Sequence, residues 1–412
     1  MSVIRPKPPE DPLEFSLAAL RAASGDDATA LAPSDAELER ARDAAVEETL
    51  VQLPDRLLAD YNGTATGRTR GTSELYAVLQ EARRIRDAVD RVVVLGDAHS
   101  TQAARAVFDC CCHPFHNELS RGERGGRPRL SFVGHAADGD LLQGIVDLVA
   151  PAGALRGADL LDQWAIVLCE TAPRPAVDVL LPLLLRSVGG DRARLADRVV
   201  PVASTEGGAT DLATAIGCRR VFSLPDGRAG CHGPLTAAVL LPAAIAGVDV
   251  VRLLQGAAAM NTRFREAAAV LNPVLQLAAA ARLAARRDAA TPRLCSADAE
   301  RLQGLVRWHD QLRAPTAGAA APTRPAAIVR LLAGEPRRDP LSAVPPGPSA
   351  AAAEGLDQIL CRRDGPLAAP AAAAEPPPTA PFIRLPRIDE HAIGQLLQLL
   401  LLATAVDARL AG

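Results

Sequence analysis

Lysine is almost missing from this chain: Lys7 stands alone beside 44 arginines. No ammonium group is therefore available for chemistry past the N-terminus, which excludes lysine nucleophiles and Schiff bases from the body of the protein. Charge of one sign is also lacking. A formal net charge of −3 gives no whole-chain field for nucleic acid. The eight cysteines include no C-x-x-C pair and no spacing typical of structural zinc. The opening, "MSVIRPKPPEDPLEF", has no apolar stretch of the signal-peptide kind. Near the end, "LLQLLLLATAV" is too short a run to cross a bilayer and reads as a buried helix. The expectation is a reduced, cytoplasmic protein without a metal, a membrane or a nucleic acid as partner.

What is present is apolar and periodic. Hydrophobic residues make up 49% of 412, enough for two or three domains with their own cores. Residues 1–35 are Pro-rich and read as a surface arm. Residues 34–61 read as a helix with Ser34 or Asp35 as its cap and Glu37 following. A second amphipathic helix spans 73–89. Strand-like runs then alternate with helices: "RVVVLGD" (91–97), "LSFVG" (130–134), "WAIVLC" (164–169), "RVVPVAS" (198–204) and "RRVFSLP" (219–225). That alternation predicts a doubly wound parallel sheet, whose ligands sit beyond the carboxyl ends of the strands. Those ends carry "LGDAHST" and "LCETAPRP".

Past 234 the pattern becomes helical, and "ATPRLCS" with the helix after it restores one strand–helix unit. Residues 313–382 are Ala/Pro-rich, a composition of loop or linker, with "AAIVRLLAG" as a possible strand inside it. The expected organisation is an arm and helix over 1–54, a first α/β domain over 55–225, and a reduced, helix-rich α/β domain over 226–412.

Several segments together resemble the phosphoglucose isomerase (glucose-6-phosphate isomerase) family. They are "VVVLG…S" (92–100), "CHPFHNELSRGERGGRPRLSFVG" (112–134), "VFSLPDGRAG…LLPAAIAGVDVVRLLQGAAAMN" (221–261) and "DEHAIGQLLQLLLLATAVDARLAG" (389–412). The resemblance implies two sugar-isomerase α/β domains, a homodimer, no cofactor and a sugar-phosphate site. It also implies positions for the chemistry, and most are rewritten. The family's G-I-G-G-S loop falls on Gly96-Asp97-Ala98-His99-Ser100, keeping Gly96 and Ser100. Its phosphate loop S-K-S-G-x-T falls on Glu170 to Pro175, with Thr171 in place of the lysine. A carboxylate there faces the incoming dianion, and two charges ~4 Å apart repel by roughly 1–4 kcal/mol. Pro173 and Pro175 remove amide donors as well.

The arginine of the family's G-G-R motif falls on Cys231, and its catalytic glutamate on Pro315, which cannot act as a base. The ring-opening histidine falls in a gap between Gly318 and Arg324, and the late lysine falls past Gly412. By this reading no catalytic residue is retained, Gly96, Ser100 and Thr171 are the remaining substrate-binding positions, and the protein is a pseudoenzyme that binds a sugar phosphate or a partner. The competing expectation is an active isomerase, or a new reaction using Asp97, His99 and Glu170. His113 and His116 beside Cys110–Cys112 read as scaffold, His232 beside Cys231 as an unproductive pair, and Glu123, Arg124, Arg127 and Arg129 as a solvated loop.

Overall fold

The computed structural model describes residues 12–16, 32–65, 73–134, 139–149, 163–169, 174–204, 208–224, 233–286, 293–296, 300–313, 328–335 and 381–411. The chain divides into two compact units, one of residues 49–255 and 307–315, the other of 1–48, 256–306 and 316–412. The N-terminal residues give a short strand, β1 (Glu14–Ser16), and helix α1 (Asp35–Val46). Ser34 caps α1: its hydroxyl accepts from the Glu37 amide, and the Glu37 carboxylate accepts from the Ser34 amide at 2.7 Å. The helix expected to continue to residue 61 stops at Val46 and restarts as α2 (Thr49–Ala65).

Helix α3 (Glu74–Ala88), capped by Ser73, leads into five strands: β2 (Arg91–Leu95), β3 (Arg129–Val133), β4 (Trp164–Cys169), β5 (Val199–Ala203) and β6 (Phe222–Ser223). Between them run α4 (Ala98–Cys111), α5 (Gly139–Val149), α6 (Arg174–Ser187), α7 (Arg192–Arg198) and α8 (Gly208–Ile216). The strand order is β3-β2-β4-β5-β6 and every neighbouring pair is parallel, the doubly wound sheet that the alternation predicts. Of "RRVFSLP" only Phe222–Ser223 pairs.

The continuous apolar runs follow from burial on both faces. Val93, Leu95, Ile166 and Leu168 pack with Leu142 and Ile145 of α5 and Val177, Leu180 and Leu184 of α6. Helix α9 (Ala237–Ala246), apolar all round and buried at every residue, packs against β3, β4, α3 and α4. The compact unit that holds this sheet and α9 runs on to Gln255.

Just before β2, Asp90 is fully buried and held by three guanidinium groups: Arg121 at 2.9 Å, Arg124 at 2.5 Å, and Arg129. The solvated-loop expectation for this segment is therefore corrected. Glu123 is exposed and bonded to Ser120, but Arg124 is buried, and Arg127 and Arg129 are partly so. A buried carboxylate needs compensating charge, and the loop supplies it.

The second unit holds α11 (Pro273–Arg286), β7 (Arg293–Cys295), β8 (Ile328–Glu335), β9 (Phe382–Arg387) and α13 (Glu390–Ala411), while α10 (Val250–Glu266) and α12 (Gln303–Arg313) cross the division of the chain. Its sheet has the order β1-β9-β8-β7, parallel except for β1 on β9. β7 and β8 fall where strands are expected. β9 lies at the end of the Ala/Pro-rich stretch, and β1 lies in the supposed surface arm. Leu13 beside β1 is 1% exposed, and its amide donates to Gln395.

Helix α13 has 22 residues and is long and apolar enough to cross a membrane, longer than its apolar run suggests. Two thirds of its most apolar window (67%) is nevertheless buried inside the protein. It packs against α1 and α11, with Arg282 bonded to the Asp407 carboxylate and Gln398 donating to Asn261 at 2.7 Å. At Gly256 the backbones touch: a Cβ there would lie 1.9 Å from the His391 carbonyl oxygen. Gly256→Ala must push one helix off the other, and overpacking of this kind costs about 1–3 kcal/mol. A lower urea midpoint for this variant is the expected result.

His309 on α12 is buried, and its Nδ1 has no hydrogen-bond partner among the described residues. Burial first, and then the Arg313 charge, push its pKa down to about 3. The unfolded chain takes up a proton that the native state refuses, so this group's contribution is complete above pH ~6.5 and is lost as pH falls toward 3. His309→Gln is expected to flatten the acid limb of stability against pH between about pH 4 and 6.5, measured as urea midpoints.

Candidate functional site at the strand ends

The order β3-β2-β4 creates a switch point. The chain leaving β2 passes to β3 on one side, while β4 lies on the other, so the carboxyl ends of β2 and β4 form a switch point, the place where sheets of this kind open a ligand crevice. Leu95 is in register with Leu168, which puts Gly96 beside Cys169 at the same edge of the sheet. A Cβ on Gly96 would lie 3.3 Å from the Cys169 Cβ. On the β3 side, a Cβ on Gly134 would lie 2.3 Å from Thr101 Oγ1 and 2.8 Å from the Ala98 Cα. The first turn of α4 is thus wedged between two strand ends, and only glycine fits at 134.

Asp97 sets the chemistry of that helix terminus. Its backbone is extended and its side chain is the N-cap of α4. One carboxylate oxygen, Oδ1, accepts from both the Ser100 amide and the Ser100 hydroxyl, each at 2.7 Å. Thr101 Oγ1 closes the turn by donating to the Asp97 carbonyl at 2.7 Å. The free amides of a helix N-terminus and its dipole suit an anion, and here the chain's own carboxylate takes that place. Cys169, across the crevice, is fully buried. Burial, and then the Asp97 charge, push its thiol up to about 12, so it is a neutral, unreactive wall.

No family model matches the chain. It is 30% identical over 271 residues to a protein named glucose-6-phosphate isomerase from Symbiobacterium thermophilum, covering 64% of this chain and 58% of the relative. A protein of the same name from Listeria monocytogenes is 28% identical over 262 residues, 61% and 56% of the two chains. This chain therefore spans little more than half the length of these curated relatives. In fold it is similar to a hypothetical protein, TT0462, from Thermus thermophilus (TM-score 0.69, 18% identity), with 97% of this chain and 94% of that one covered. A glucose-6-phosphate isomerase from Chlamydia trachomatis gives a TM-score of 0.56 at 15% identity, with 82% and 69% covered. In sequence the chain is similar to proteins named glucose-6-phosphate isomerase.

Of the positions that the isomerase resemblance singles out, the structure brings Gly96, Asp97 and Ser100 together at the crevice. Glu170, Thr171, Cys231, His232 and Pro315 lie outside the described residues, as does the side chain of His99. The His113 and His116 neighbourhood is scaffold: His116 Nε2 lies 3.0 Å from the Pro128 carbonyl, and His113 Nδ1 accepts from the Phe115 amide. Burial lowers the pKa of His116. Among the described residues no group of His, Cys, Asp and Glu is placed to hold a metal.

Sequence reasoning passed over Gly134 and Thr101. The signal for Gly134 was available, since "FVG" ends β3 as "VLG" ends β2. Thr101 carried no signal, because its role depends on a turn geometry that only Asp97 creates. The cap reading has a direct check. Asp97→Ala should lower stability by about 1 kcal/mol, while Asp97→Asn, which still accepts a hydrogen bond, should stay within a few tenths in thermal denaturation.

Proposed function

We propose that this chain is a relative of the glucose-6-phosphate isomerases that keeps their scaffold and does not isomerise hexose phosphates. The observation that carries this reading is the self-capped helix at the crevice. Asp97 spends the Ser100 amide and hydroxyl on its own carboxylate and presents negative charge to any approaching phosphate. The residues aligned with the family's chemistry support it from a second direction. Glu170 stands in the phosphate loop, Cys231 replaces a cation, and Pro315 replaces the base that would move a proton between C1 and C2. No lysine follows Lys7 to restore the lost charge.

An active glucose-6-phosphate isomerase is the alternative, favoured by the names of the curated relatives. A single assay separates the two. Purified protein given fructose 6-phosphate, with glucose 6-phosphate detected by a coupled dehydrogenase, should give no rate above the buffer blank. Turnover that scales with protein concentration would overturn the proposal.

A further inference from the structure

The opposite end of the same sheet holds a cavity of about 320 Å³ to which nothing above assigns a role. It opens beside the start of β4. As β4 has six residues, this cavity lies about 16 Å from the crevice at the other end of the strand. Four arginines are among its lining residues, Arg84, Arg194, Arg198 and Arg219, with Asp197 as the single acidic residue of the lining.

The positive charge is only partly answered. Arg84 pairs closely with Glu81 at 2.5 Å. Arg194 and Arg219 meet carboxylates of Asp191 and Asp197 only at 4.0 and 3.8 Å, with their side chains 71% and 70% exposed. Arg198 has no carboxylate within 4.0 Å among the described residues. It is half-buried, held by the Gln163 side chain and the Trp164 carbonyl, with its guanidinium 5.0 Å from the Trp164 ring centroid. Burial, and then the Arg194 charge, lower its pKa, which is the mark of a cation kept without a counter-charge.

Cations gathered around a hollow raise the local concentration of anions, and Arg194 and Arg219 are exposed enough to meet one. Guanidinium forks of this kind match the oxygens of phosphate groups in paired hydrogen bonds. We propose that this cavity is a binding site for a small polyanion of the phosphate-ester or polyphosphate class. It is separate from the strand-end crevice and independent of whether the chain isomerises sugars.

Pyrophosphate is the probe. Calorimetric titration of the full chain at fixed ionic strength in chloride should show saturable binding at one site. Arg194→Ala with Arg219→Ala should weaken it at least about tenfold, the usual loss when charge-assisted hydrogen bonds are removed. Arg105→Ala, an exposed arginine on α4 outside the cavity, should leave it unchanged. Arg194→Gln alone serves as the milder variant, with an intermediate loss expected, and urea midpoints equal to wild type confirm that each variant is folded. Absence of saturable heat with the wild-type protein overturns the proposal. So does an equal loss in the Arg105 variant, which would mark general attraction to a basic surface.

Discussion

The carboxylate of Asp90 is the constraint on which the first unit depends. It sits at the entrance to β2, the strand that both β3 and β4 need as a neighbour, and it is out of contact with water. Three guanidinium groups answer that charge, two from the segment after α4 and one from the first residue of β3. Leaving a buried charge without its partner costs about 3–5 kcal/mol, so the segment from Cys112 to Pro128 is tied to the sheet as firmly as a regular element. The backbone bond from the Arg129 amide to the Asp90 carbonyl at 2.7 Å then sets β3 in register on β2. Asn117 reinforces this by bonding the Leu130 amide and carbonyl together.

With the sheet so pinned, its two ends acquire different chemistry. At the carboxyl ends the glycines at 96 and 134 let the first turn of α4 press between strands, and Asp97 fills the anion-seeking terminus from within. At the amino ends, arginines of α3 and α7 and the one before β6 gather around a hollow with a single acidic lining residue. One end has internalised a negative charge, and the other still has positive charge to offer. That polarity is the reverse of the usual arrangement in doubly wound sheets, whose ligands bind beyond the carboxyl ends.

Legibility in the sequence varied with how local the determining interaction was. The capping box at Ser34, the helix from Ser73, and the strands β2, β4 and β5 were readable because their signals lie within a few residues. The pairing of β1 on β9 was not, since neither run is strongly apolar and each is a strand only because the other is there. The Asp90 cluster was misread for the same reason. A run of arginines in a glycine-rich loop looks solvated until a buried carboxylate 31 to 39 residues earlier is known to be its partner. Within the candidate site, Gly96 and Ser100 could be picked out by motif. That Asp97 spends Ser100 could not, because N-capping and ligand binding ask for the same residue types.

Composition and periodicity by themselves determined that this chain builds parallel sheets covered by helices. Continuous apolar runs can be satisfied only by burial on both faces. Composition also left Lys7 as the single ammonium side chain of the given sequence. Tertiary structure alone decided where charge goes. It buried Asp90 among arginines, turned Asp97 inward onto its own helix, and brought Arg84, Arg194, Arg198 and Arg219 around one cavity from positions far apart in the chain. Electrostatic energy depends on distance and burial in space, and neither can be read from order along the chain.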